Sequence, residues 1–143
     1  MNTADSRNPY RQIATQTAPP GQLVLMLFDG ALNSLERALT GFECTDPGEK
    51  NMTVHNNLRR AVDIIRHLNH SLNLEAGGKL AETLRGLYYY FDQRIVESNL
   101  SKKREGVDEV IGHLKGLRDA WADMLAKQGQ EADSVEQVEV AAV

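Results

Sequence analysis

The chain has 143 residues, 41% hydrophobic and 25% charged, and a formal net charge of −4. That length suits one domain with a real core and leaves too little for two. Glu131, Asp133, Glu136 and Glu139, with no base after Lys127, carry the whole −4, so the remainder is near neutral, which argues against nucleic acid and against anionic membrane surfaces.

Prolines occur only at positions 9, 19, 20 and 47, and four helical stretches follow in order. The first runs from Pro20, which suits an opening turn because its missing N–H would be unpaired there anyway, to about Phe42. Val24, Phe28, Ala31, Leu35, Ala38 and Phe42 form its three-to-four stripe, flanked by Leu25, Leu32 and Leu39. The second opens on Asp46-Pro47-Gly48-Glu49, an Asp N-cap, a proline at the first helical position and a capping-box Glu. Its stripe is Val54, Leu58, Ala61, Val62, Ile65, Leu68 and Leu72, and Gly77-Gly78 reads as its stop. The third runs from about Gly78 to Leu100, with Leu80, Leu84, Leu87, Tyr88, Phe91 and Ile95 on one face. Ser101 is the candidate cap of the fourth, although Lys102, Lys103 and Arg104 would then sit at the positive end of its dipole. Val107, Val110, Leu114, Leu117, Trp121 and Met124 make the fourth stripe.

Long helices with short connections pack as antiparallel neighbours. The expected fold is therefore all-α, an antiparallel up-and-down four-helix bundle over residues 19–127. Residues 1–18 read as a loosely held N-terminal segment and residues 128–143 as an acidic flexible tail.

The chemistry of catalysis is missing. The sequence has no phosphate loop, no dinucleotide glycine pattern and no nucleophile elbow, and no Glu-x-x-His pairs of the kind a di-iron bundle needs. His67 and His70 stand three apart without a placed carboxylate or cysteine partner, and His113 has no distinguishing neighbours. Cys44 lies near Glu43 and Asp46, which disfavour a thiolate. No metal, no cofactor and no catalytic residue is expected. A lone cysteine fits a reducing compartment, Met1 to Asp5 lack the basic start and apolar run of a signal peptide, and the longest strictly apolar run, Leu23 to Phe28, is too short to span a bilayer. The expected location is the cytoplasm.

What stands out is surplus apolar surface. Leu23-Val24-Leu25-Met26-Leu27-Phe28 is apolar all round the helix, more than a single core stripe uses. Tyr88-Tyr89-Tyr90 spreads aromatics over about 200° of the third helix, so Tyr89 and Tyr90 point off the core stripe, with Val96 two turns beyond Tyr89. Leu23, Leu27, Tyr89, Tyr90 and Val96 are the candidate binding residues of a groove for apolar residues of another chain. Tyr10 and Ile13, apolar in an otherwise polar segment, are the candidate groove caps. The surplus also has an ordinary reading, since a long first helix can be central in its bundle and surface tyrosines are common, and a helical adaptor that homo-oligomerises through the same surface is the rival function.

The segment Leu23 to Ala31 resembles the first-helix signature of the FliS flagellar export chaperones. Leu87-Tyr88-Tyr89-Tyr90-Phe91-Asp92-Gln93-Arg94-Ile95-Val96-Glu97-Ser98-Asn99 is similar to that family's Leu-Tyr-x-Tyr and Arg-[Leu/Ile]-x-x-Ala-Asn segment. Ile64-Ile65 through Leu74 with Gly77-Gly78, and Leu117-Arg118-Asp119-Ala120-Trp121, follow in the family's order, so the resemblance covers about residues 8–125. It departs at Thr17-Ala18-Pro19-Pro20, where the family has a capping Ser, at the N-terminal segment, which has Tyr10 but no second aromatic, and at Ser98, where Ala is usual. The resemblance implies a cytoplasmic chaperone for the disordered C-terminal segment of flagellin, which stops early polymerisation and hands the subunit to the flagellar export gate. It implies no nucleic acid and no membrane insertion, and leaves room for a weak homodimer.

Overall fold

A computed structural model describes the backbone of residues 20–142 and the side chains of residues 20–131. It contains four helices: α1 (Pro20–Phe42), α2 (Pro47–His70), α3 (Leu74–Ser101) and α4 (Glu105–Ala142). Each helix packs on the next, and α4 returns to α1. Cross-helix pairs run in opposite numerical order, as with Arg118 on Asp29 and Lys115 on Glu36 or Arg66 on Asp92 and Asn99 on His55. The result is the expected antiparallel four-helix bundle, with α1 and α3 on opposite corners, as are α2 and α4.

Local chemistry sets the boundaries. Asp46 caps α2 by accepting from the Glu49 N–H at 2.8 Å, as its sequence signature requires. The end of α2 differs from the expectation: it stops at His70, with Ser71 as C-cap. Asn73 then caps the next helix, its side chain accepting from the Ala76 N–H at 3.0 Å. Gly77-Gly78 therefore lies inside α3, and Gly78, at φ 53° and ψ −130°, kinks it, a conformation without cost only for glycine.

Ser101 likewise belongs to α3, donating to the Glu97 carbonyl at 2.9 Å. α3 closes on Lys102 in the left-handed region, φ 53°, and α4 opens with Glu105 and Asp108 in its first turn. The dipole conflict is relieved for Lys102 and Lys103, which stand beyond a helix C-terminus where cations are favourable, and Arg104, directly before α4, is paired with Asp108 in its first turn at 3.0 Å. Lys102 donates to Asn99 Oδ1, and burial lowers the pKa of its ammonium.

The core holds Phe28, Leu35, Leu58, Ile65, Phe91, Ile95, Val107 and Leu114, none above 2% exposed. Each buried Leu, Ile or Phe contributes about 1.5–3 kcal/mol relative to exposure, so these rows hold the four helices together. Ser98, also buried, faces Gly106, where an added Cβ would stand 3.0 Å from the Arg94 carbonyl oxygen. Small residues at both positions let α3 and α4 approach closely. α4 continues past Lys127 as helix through the acidic stretch to Ala142. None of the described helices is long and apolar enough to cross a membrane.

Candidate client-binding surface

Along α3, Tyr88, Phe91, Ile95 and Ser98 turn inward. One position further on, a 100° rotation carries Tyr89, Val96 and Leu100 onto a single row, spaced by seven and four residues. Tyr89 is 53% exposed, Val96 39% and Leu100 82%. Arg85 steadies the Tyr89 ring, its guanidinium 5.6 Å from the centroid and donating to the phenol oxygen at 3.1 and 3.3 Å. An apolar row with one aromatic anchor thus faces solvent.

Tyr90 turns to the other side, onto the seam between α3 and α4. Its hydroxyl donates to Glu109 Oε1 at 2.5 Å, while Arg94 Nε donates to Glu109 Oε2 at 2.7 Å. Its ring meets Phe91 edge-on at 6.4 Å. The hydrogen bond from Tyr90, followed by that from Arg94, lowers the Glu109 carboxyl pKa; the bond to Glu109 raises the Tyr90 phenol in turn. Tyr90 shields an interhelical ion pair as well as presenting an exposed edge.

Leu23 and Leu27 lie elsewhere, half-buried on α1, with Leu27 packed against the core. They sit at the end of the bundle where α1 and α3 begin, α2 ends and α4 passes at the level of Trp121. Here Trp121 Nε1 donates to the Gly21 carbonyl at 2.9 Å, and its ring meets Phe28 edge-to-face at 6.4 Å. Arg118 donates to Asp29 at 2.8 Å. The end is only partly covered. Leu80, which its spacing from Leu84 and Leu87 assigns to the core, is 67% exposed, and Met124 is 37% exposed. The bundle does not close over the first turns of α3. Asn69 Oδ1 is buried without a hydrogen-bond partner among the described residues.

Tyr89 and Val96 therefore share a row, Tyr90 occupies a neighbouring seam, and Leu23 with Leu27 forms a separate apolar end. Leu100 extends the α3 row and was readable from its place four residues after Val96. Leu80 was not readable, because spacing gives direction and not what covers it. Tyr10 and Ile13 lie outside the described residues. His67 and His70 are exposed, and among the described residues no three His, Cys, Asp or Glu side chains gather as a metal site would require.

The described bundle thus exposes two apolar areas, the α3 row and the end around Leu80 and Met124. Against known families, residues 2–128 match the model described as flagellar protein FliS. The chain belongs to the FliS family. It is 35% identical over 132 residues to the flagellar secretion chaperone FliS of Salmonella typhimurium, covering 89% of this chain and 95% of the relative. The FliS of Bacillus subtilis is 32% identical over 128 residues, at 87% and 92% coverage. That of Escherichia coli is 32% identical over 140 residues, at 94% and 100%. The FliS match spans α1, α2, α3 and α4 as far as residue 128, so the exposed α3 row and the open end both lie within it.

Proposed function

We propose that this protein is a cytoplasmic export chaperone that binds the disordered C-terminal region of flagellin, prevents its premature polymerisation and assists its delivery to the flagellar type III export apparatus. The observation that carries the reading is the exposed row Tyr89, Val96 and Leu100 in a chain of the secretion-chaperone family. A flagellin end assembles by burying apolar stripes against other subunits, and a chaperone has to cover those stripes until export. Binding suffices for this; neither catalysis nor a cofactor is needed. Ordering a disordered client costs about 2–5 kcal/mol of the gross interaction energy, which keeps the complex releasable. Tyr89 and Val96 serve as the outer anchors, Tyr90 as an edge contact, and Leu23 and Leu27 as the contact at the open end. Tyr10 and Ile13, in the segment that precedes α1, compete with the client for this surface.

Calorimetric titration with a flagellin C-terminal fragment, paired with circular dichroism, tests the proposal. The expected result is one-to-one binding with a gain of helix, weakened by Tyr89→Glu or Val96→Glu while the bundle stays folded. No heat and no added helicity at tens of micromolar would overturn it and favour the homo-oligomerising adaptor.

A further inference from the structure

The exposed α3 row is bordered on one side by α2, and two cross-helix contacts fix which residues meet there. Asn99 Nδ2 lies 3.0 Å from His55 Nδ1, and Arg66 donates to Asp92 at 2.8 Å. A step of four residues turns a helix by about 40°. Arg59, four residues after His55, and Val96, four after Asp92, are therefore each turned outward from those contacts at matching height, and both are exposed. They form the two lips of the α2–α3 seam. Met52, 66% exposed, lies one turn before His55 and extends the apolar strip at the Leu100 end.

The charges along this border do not balance. Arg59 and Arg85 make no ion pair among the described residues, and Arg85 engages only the Tyr89 ring and hydroxyl. Lys102 stands at the Leu100 end, its amine on Asn99. Against these cations are Asp63, exposed between Arg59 and Arg66 on α2, and Asp92, already taken by Arg66. On the far side of the row the sign changes: Glu97 pairs with Arg94, and Glu82, two turns before Tyr89, is exposed. The apolar row thus has a basic lip along α2 only.

We propose that the α2–α3 seam selects amphipathic segments whose edge toward α2 is acidic, with Arg59 as the residue that reads that charge. The inference rests on the client reading of the α3 row and narrows it to one chemical class of segment. Tyr89 to Leu100 spans about 17 Å, so three turns of a client helix cover the row. A helix seated there lays one edge over Arg59 and takes it partly out of water. An unpaired cation in that position is penalised, and a carboxylate on the edge removes the penalty. Complementary charge at such a rim also speeds encounter and fixes register. Because the basic lip is on one side only, an acidic edge sets the direction of the segment as well: reversing it would turn the acids toward Glu97.

Calorimetric titration of the full chain with two designed amphipathic peptides tests this. Both carry the same leucine stripe; one has glutamate along one edge, the other glutamine. At about 50 mM salt the glutamate-edged peptide should bind about threefold more tightly or better, in the range of exposed ion pairs. The difference should vanish at about 500 mM, where the screening length is about 4 Å. Arg59→Glu should remove the preference and leave the glutamine-edged peptide unchanged. Arg60→Glu makes the same change of net charge about 100° round α2 and should leave the preference in place; both variants are checked for helix content. Equal binding of the two peptides overturns the proposal, as does failure of both to bind. So does a preference that Arg59→Glu leaves standing or that Arg60→Glu also removes. Titrating the flagellin fragment separately keeps the two readings apart. A fragment that binds while the peptides do not differ leaves the client reading intact and removes only the charge selection; a glutamate preference without fragment binding does the converse.

Discussion

Gly41 is where the packing of α1 on α2 is most sensitive to a single methyl group. It is buried one residue before the end of α1. A Cβ there would lie 2.8 Å from Thr53 Cγ2, 3.0 Å from Thr53 Cβ and 3.1 Å from Val54 Cγ2. Carbon atoms prefer about 3.5–4.0 Å, so in Gly41→Ala the helices must separate by about half an ångström to one ångström. Neither neighbour can swing aside: both are β-branched and stiff at χ1, and Val54 is 0% exposed. Overpacking of this kind costs about 1–3 kcal/mol. Alanine returns at most about 1 kcal/mol of helix propensity, and less beside a helix end. The net expectation is about 1–2 kcal/mol of destabilisation, a fall in Tm of about 3–8 °C for a chain of this size, measured by thermal unfolding followed at 222 nm. Thr53→Ser removes the nearest methyl, so the Gly41→Ala/Thr53→Ser double variant should recover part of the loss relative to Thr53→Ser alone. A Tm at or above the parent's, or no coupling between the two positions, would refute the close approach of α1 and α2.

Leu114 is 0% exposed and Val96 39%, so Leu114→Glu should abolish cooperative unfolding, an unpaired charge in a core costing several kcal/mol, whereas Val96→Glu should leave Tm within a few degrees. Burial pushes the Tyr88 phenol up to about 12; its contribution to stability is therefore intact below the ordinary tyrosine value of about 10 and is lost as pH rises toward the folded value. Urea unfolding between those limits should show a smaller alkaline loss in Tyr88→Phe than in the parent, and equal slopes would count against that burial. Deleting residues 1–17 should raise affinity for the flagellin fragment or make the free protein aggregate; if neither changes, the segment is not a competitor. A chain ending at Lys127 should keep its monomer Tm, and a fall of many degrees would place residues 128–143 within the folded unit.

Much of the fold was legible because it depends on local rules. Period and proline placement gave four helices, and Asp46 with Glu49 gave the start of α2 almost to the residue. The errors came where two signals competed. Asn73 and Gly77-Gly78 could each mark a boundary, and the cap formed by Asn73 on Ala76 prevails, leaving Gly78 as a kink. Ser101 looked like a cap, but its hydroxyl is satisfied within its own helix by Glu97. At the candidate surface, spacing showed that Tyr89 and Val96 leave the core. It could not show that Tyr90 is tied to Glu109, because that bond spans 19 residues and two helices. Leu80 was assigned to the core for the same reason: periodicity gives a direction, and only the assembled bundle shows that its end is open there.

The hydrogen bond from Trp121 to Gly21 and the ion pair of Arg118 with Asp29 link residues 100 and 89 positions apart. Helix α1 therefore receives one of its two flanking helices only when the last helix has been made. At about 5–20 residues per second, the roughly 80 residues between Phe42 and Trp121 take about 4–16 s to synthesise. During that interval the most apolar helix of the chain has at most α2 on one side and nothing on the other. Closure of the ring thus waits for α4, and the nascent three-helix stage is when this protein most needs protection from other chains.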